Sequence, residues 1–211
     1  ARLELLAGML RGGDGADDSA VLQAHVGEGH AFQALYLLSV QGRVRAVGLA
    51  ASAAVGDSLR GRELAGSFLF RSARGGIAAA WDGRHPALES GLPTVGLATR
   101  RADGQVLVGE MPPAFLRDVL LAVAGPETTA LWVMERDGNL LADTGQAGGA
   151  GRLERASESL LETVRAGHAP PRELQLGERR YWVEVVDSAP LGWFFIGRMS
   201  AGWQHPAVRE L

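Results

Sequence analysis

One pattern is written twice along this chain. Residues 34–44 read ALYLLSVQGRV and residues 130–140 read ALWVMERDGNL. At one constant offset Ala34 matches Ala130, Leu35 matches Leu131, Tyr36 matches Trp132, Gly42 matches Gly138, and Ala46 matches Ala142 a little further on. Each copy is an apolar, β-prone run, a polar turn with Gly, and a second apolar run, which is how a β-hairpin is written. The far ends agree as well. Residues 106–111 read VLVGEM and residues 194–199 read FFIGRM, each an apolar strand closing on Gly, a charged residue and Met. Another strand precedes each: Thr94 to Thr99 before the Asp103-Gly104 turn, and Tyr181 to Asp187 before Ser188 to Gly192. A unit repeated in this order folds as two similar modules, each enclosing its own interior.

The segments between the copies fall into place around them. Pro113 to Ala124 is a helix with Phe115, Leu116, Val119, Leu120 and Val123 at helical spacing. Pro suits its first turn, and Gly125-Pro126 stops it. Arg152 to Ala166 is a second helix, striped by Leu153, Ala156, Leu160, Leu161 and Val164, with Gly167 as its C-cap. Residues 145–151 (GQAGGAG) make a flexible loop. Near the start, helical patterns over Arg2 to Leu10 and Ser19 to Val26 flank the glycine- and aspartate-rich segment Arg11 to Asp18. We read them as a stalk lying along the modules. The expected fold class is α+β: an N-terminal helix and two tandem antiparallel sheets flanked by helices, with boundaries at 1–32, 33–124, 125–199 and 200–211.

Composition excludes several functions. The chain has no Cys, so disulfides, thiolate zinc sites, iron–sulfur clusters and a thiol nucleophile are ruled out. Net charge is −3, which gives no basic field for nucleic acid. All 21 basic residues are Arg, so no P-loop Lys exists. There is no G-x-S-x-G elbow. His25, Glu28 and His30 do not keep the spacing of H-E-x-x-H, and Asp14, Asp17 and Asp18 lack the later Glu of an EF-hand. No metal, cofactor or catalytic residue is therefore expected. No apolar run approaches the roughly 20 residues that span a bilayer; the richest, 115–124, carries Arg117 and Asp118.

A hairpin, helices and a closing meander, repeated behind an N-terminal helix, resemble the double Cache family of tandem PAS-like sensor domains. The phrases that carry the resemblance cover nearly the whole chain: Leu37 to Val44; Gly61-Arg62-Glu63-Leu64 with Phe68-Leu69-Phe70; Trp81-Asp82; Gly91 to Val95; Val108-Gly109-Glu110-Met111 with Phe115-Leu116; and Leu191-Gly192-Trp193. The resemblance implies a periplasmic ligand-sensing domain of a bacterial inner-membrane receptor. Transmembrane helices outside this sequence would connect it to a histidine kinase, chemotaxis or cyclic-di-GMP module, and dimerisation would run through the N-terminal helices. It makes 33–124 the membrane-distal, ligand-holding module, 125–199 the proximal one, and 200–211 the segment leading to the membrane. The alternative is a cytoplasmic PAS-type binding or dimerisation module without transmembrane signalling.

The expected partner is a small ligand, a carboxylate or another small polar metabolite. A pocket for it needs an apolar wall and a few convergent polar groups, and the stretch from Phe68 to Val95 supplies both. Trp81 either lids the pocket and stacks on the ligand or belongs to the core. Arg71, Arg74 and Arg84 either fork onto a carboxylate or phosphate or are solvated surface. Asp82 or Glu110 would accept from an amine, and Thr94 opens the strand after the loop. Glu110 either faces water or fills the position where amine-sensing relatives place a carboxylate. Those relatives carry an Arg two residues before a Trp-Tyr pair. Here Ala79 precedes Trp81 and Asp82 follows it, which argues against an α-amino acid. His85, next to Arg84, either touches a ligand or is a loop histidine, and we read it as the latter. Trp132, Trp182 and Trp193 of the second module are read as core and interface.

Overall fold

The structure is a computed structural model that describes residues 2–10, 15–50, 53–124, 130–145, 158–165, 172–176 and 179–200. Contacts divide the chain into Ala1–Pro112 and Pro113–Leu211.

The first unit runs α1 (Arg2–Met9), α2 (Gly15–Gln23), β1 (Ala34–Leu38), β2 (Val44–Leu49), α3 (Ala53–Leu59), α4 (Phe68–Arg74), β3 (Ala80–Pro86), β4 (Pro93–Arg100) and β5 (Val106–Met111). Its strands form one antiparallel sheet in the order β2-β1-β5-β4-β3. The second unit runs α5 (Pro113–Ala124), β6 (Ala130–Glu135), β7 (Leu140–Asp143), α6 (Glu158–Arg165), β8 (Arg172–Leu176), β9 (Arg179–Ser188) and β10 (Trp193–Ser200), with sheet order β7-β6-β10-β9-β8. Strand for strand the two orders are the same, as the repeat requires. The likeness extends to an irregularity. The first hairpin slips register between Leu37 and Leu38, and the second between Val133 and Met134, the matching place.

The matched glycines explain why both hairpins turn alike. Gly42 and Gly138 have φ of 84° and 97°, a region L side chains rarely adopt. Their N–H groups donate to Ser39 O at 2.9 Å and Glu135 O at 3.0 Å. Both turns are also packed from above. A Cβ on Gly42 would lie 2.6 Å from Ala65 Cα, and one on Gly138 would lie 2.8 Å from Leu161 Cδ2.

Each sheet buries an inner face. In the first unit Tyr36, Leu38, Val47, Ala98, Val106 and Val108 pack under Leu69, Phe70 and Ala73 of α4. In the second, Trp132, Met134, Val183, Phe194 and Ile196 pack under Leu160, Leu161 and Val164 of α6. The described part of α6 lies within the expected Arg152–Ala166 helix, whose ends fall outside the described residues, as do most of the 145–151 loop and residues 201–211.

The N-terminal helices are integral to the first sheet. Leu3, Leu6 and Ala7 of α1, with Leu10 just after it, form a buried stripe. Arg101, just after β4, donates to the carbonyls of Ala7 and Leu10 and caps that helix from outside. The second helix starts at Gly15, earlier than the Ser19 expected, with Asp17 and Asp18 in its first turn. It covers β2: the Gln23 amide exchanges hydrogen bonds with Leu49 O at 2.8 Å and Leu49 N at 3.1 Å. Ser19 Oγ accepts from Val47 N at 3.1 Å. An exposed sheet edge is thereby protected.

Two expectations shift. The Pro113–Ala124 helix is where the sequence places it, but it packs on β6 and β7, so the division falls before it and not after. Trp81-Asp82, read as a loop, opens strand β3, and His85 lies in the same strand. The run AWDGRHP has little β-propensity; it pairs as an edge strand and tolerates Pro at its end.

Candidate functional site

A strand's side chains alternate between faces, and directly paired residues share one. In the first sheet Ala34 pairs with Glu110, Glu110 with Gly96, and Gly96 with Asp82. This row lies on the inner face, beside the core row of Tyr36, Val108, Ala98 and Ala80. The next row over, Leu35, Gly109, Leu97 and Trp81, belongs to the opposite face. That face meets Phe32 at Gly109 and Leu22 of α2 at Gly48, the partner of Leu35.

A break in β3 adds a residue to the inner row. The register slips between Asp82 and Arg84, so that Arg84 pairs with Val95 and His85 with Thr94. The bulge at Gly83 turns the pleat by one residue, and Asp82 and His85, three apart in sequence, come to share a face. His85 then reaches across Gly96. A Cβ there would lie 2.7 Å from His85 Cε1 and 2.4 Å from Leu69 Cδ1, so glycine is what opens the passage.

At its end is Glu110, 4% exposed. Tyr36 Oη donates to Glu110 Oε2 at 3.2 Å, and Leu88 N donates to Oε1 at 3.3 Å. His85 Nε2 stands 3.7 Å from Oε1. The other ring nitrogen, Nδ1, is 3.5 Å from Asp82 Oδ2 and 3.2 Å from Gly83 O. Glu89 stands in the turn joining β3 to β4, and its buried Oε2 finds no hydrogen-bond partner among the described residues. That turn is closed by Ala87 N to Leu92 O at 2.7 Å and Gly91 N to Ala87 O at 2.9 Å. Through Leu88 it lies over the Glu110 carboxylate.

These surroundings shift proton affinities in a consistent way. Burial pushes the Tyr36 hydroxyl up, and the charge of Glu110 pushes it further, so it stays a donor. Burial, with Glu110 second, raises Glu89. For His85 burial works downward, but the Glu110 hydrogen bond and the Asp82 charge outweigh it, and its proton affinity rises. Two carboxylates therefore flank one imidazole, and a third, Glu89, acts on Glu110 from the turn above.

Of the residues singled out from sequence, Asp82, Thr94 and Glu110 share the inner face. Thr94 is spent on structure: its hydroxyl donates to Met111 O at 2.8 Å and accepts from Gln33 Nε2 at 3.1 Å. Trp81 and Arg84 register onto the opposite face, away from Glu110. Arg71 is exposed on α4, while Arg74, also exposed, donates to Val40 O at 2.6 Å. Tyr36 and Glu89 are the members sequence reasoning missed, and His85 is the one it set aside as a loop residue. Among the described residues no group of His, Asp and Glu is arranged to hold a metal. A groove of about 540 Å³ opens elsewhere on this unit, beside Glu4, Gly8, Thr99 and Arg100, and holds none of this constellation.

The second unit answers Glu110 with the opposite charge. Arg198 pairs with Ala130 as Glu110 pairs with Ala34. Its guanidinium packs 4.4 Å over the Trp132 ring and 5.2 Å over Tyr181, with Asp143 at 3.9 Å. The inner-face position is thus filled by stacked side chains. Trp132 and Trp193 are buried as expected, whereas Trp182 is 42% exposed.

No family model matches the sequence, and no curated protein matches it. Solved structures do. The ligand-binding domain of the Pseudomonas fluorescens chemoreceptor CtaA, in complex with L-isoleucine, superposes with a TM-score of 0.66 at 15% identity, over 99% of this chain and 84% of that one. The Pseudomonas aeruginosa PAO1 amino acid chemoreceptor PCTC, in complex with GABA, gives 0.59 at 15%, over 95% and 87%. An extracellular ligand binding receptor from Desulfohalobium retbaense gives 0.63 at 14%, over 95% of this chain and 36% of that longer one. At such identities the likeness establishes the fold.

Proposed function

We propose that this chain, double Cache in fold, is the extracytoplasmic ligand-sensing domain of a bacterial signal-transduction receptor, and that its first unit binds a small molecule through a cationic nitrogen. The carrying observation is the buried Glu110 carboxylate on the inner face, with Glu89 acting on it from the turn and a single imidazole standing between it and Asp82. A ligand carboxylate placed beside Glu110 would meet like charge, while an ammonium group would meet complementary charge. With Arg84 on the far face and Arg71 exposed on α4, the carboxylate-binding fork expected from sequence has no place beside Glu110. The CtaA and PCTC complexes, with isoleucine and GABA, have ligands that carry an amine. The second unit supports the assignment by contrast, since Arg198 already fills the matching position.

Signalling needs a ligand that prefers one arrangement of the domain, and full switching from 1:99 to 99:1 takes about 5.5 kcal/mol of preference. The turn over Glu110 must lift to admit the ligand. Arg101 ties α1 to the hairpin between β4 and β5, the strands flanking the site, so a shift there is felt by the N-terminal helix.

Calorimetric titration of the whole chain with putrescine, GABA, L-alanine and acetate tests the reading. Amine-bearing ligands should bind, and Glu110→Gln should weaken them by about 10-fold to 100-fold, the loss of a charged hydrogen bond. Binding of acetate alone, untouched by Glu110→Gln, would overturn it.

A further inference from the structure

We propose that His85 is a built-in cation that holds Glu110 and Asp82 in the ligand-free protein, and that a ligand's ammonium group binds by displacing it. This rests on the amine reading above and assigns that site its competitor. A free imidazole needs one acceptor and one donor around it. His85 has acceptors on both sides: Asp82 Oδ2 and Gly83 O face Nδ1, and Glu110 Oε1 faces Nε2. An imidazolium, with a proton on each nitrogen, satisfies both sides and is a planar stand-in for the cation the acids would otherwise take.

The charged groups around it are accounted for element by element. From β3 come Asp82, which touches the ring, and Arg84, which registers to the other face. From β5 comes Glu110, and from β1 the Tyr36 hydroxyl, bound to Glu110. From the turn over the site comes Glu89. On α4, Arg71 and Arg74 are exposed, and β4 presents the neutral Thr94 and Gly96. From the loop after α3 comes Arg62, exposed, whose charge acts on the Tyr36 hydroxyl; His85 is the cation that stands between Glu110 and Asp82.

Displacement has a measurable consequence. Moved off two carboxylates, the imidazolium returns toward the ordinary histidine range and gives its proton to solvent. A cationic ligand and a proton on His85 then exclude one another. His85 is protonated below its raised titration point, so affinity climbs as pH rises through that point, by up to about tenfold per pH unit.

Two measurements on the whole chain test this. Proton NMR of the ligand-free protein, with His85 assigned by its loss in His85→Gln, should show this ring titrating above the other histidines and moving to lower pH in Glu110→Gln. A ring that titrates at or below the ordinary value, indifferent to Glu110→Gln, overturns the proposal. Calorimetry with putrescine and GABA at pH 6 and pH 8 should show tighter binding at pH 8, proton release, and a pH 6 affinity in His85→Gln raised to the pH 8 level. Equal pH dependence in wild type and His85→Gln also overturns it. If neither amine binds while the NMR response stands, the amine reading fails and displacement with it, leaving only the internal ion pair.

Discussion

Gly96→Ala isolates the passage by which His85 reaches Glu110. The new methyl would lie 2.4 Å from Leu69 Cδ1 and 2.7 Å from His85 Cε1, both closer than real contacts allow. Overpacking of this kind costs about 1–3 kcal/mol. Alanine regains about 0.5–1 kcal/mol over glycine within a strand, which leaves a net loss of up to about 2.5 kcal/mol. The imidazole, 24% exposed, yields more easily than Leu69 in the core, so the structure predicts that His85 swings away from Glu110. Two readouts follow: a lower midpoint of urea unfolding, and a His85 titration shifted toward the ordinary range. In a His85→Ala background one of the two clashes is gone, and the cost of Gly96→Ala should shrink by about 0.5–1 kcal/mol as a coupling energy. Strict additivity, with His85 titrating unchanged in Gly96→Ala, would refute the placement of the ring over Gly96.

Other perturbations probe the frame around the site. Gly42→Ala should cost clearly more than Gly61→Ala in denaturant unfolding, by about 1–3 kcal/mol; both have positive φ, but only Gly42 faces backbone, Ala65 Cα at 2.6 Å. Arg101→Ala should fray α1, seen as faster amide exchange over Arg2–Met9, with about 1–3 kcal/mol lost from two carbonyl bonds. Glu89→Gln should stabilise the first unit by up to about 1 kcal/mol at neutral pH. Its folded-state proton affinity is raised, so the charged form opposes folding above the unfolded titration point, and the gain should vanish in melts near pH 4.

The architecture was legible because duplication leaves marks that survive divergence. Tyr36 and Trp132, Gly42 and Gly138, and the Gly-charged-Met endings announced two sheets before any contact was known, and even the hairpin slip falls at matching residues. The site was legible only in part. Glu110 stood out because an acid among Val106, Val108 and Met111 breaks an apolar strand. The company it keeps did not stand out. Alternation alone would put Asp82 and His85 on opposite faces and group Asp82 with Arg84; the Gly83 bulge reverses both, and a single Gly among weak β-formers gives no sign of it. Trp81, adjacent to Asp82, was drawn to the site by proximity in sequence, yet neighbours on a strand point apart. Tyr36 looked like core, and it is core; its hydroxyl meets Glu110 only because β1 lies beside β5.

The most direct measurement is a crystal structure of the chain with the amine that binds most tightly in the calorimetric panel. The ligand nitrogen should lie about 3 Å from the Glu110 carboxylate, with His85 rotated away from Oε1 and the turn at Leu88 re-formed over the ligand. A ligand held instead beside Trp81 and Arg84 on the helix-covered face, or in the second unit against Arg198, would contradict the placement of sensing at the acid face of the first sheet.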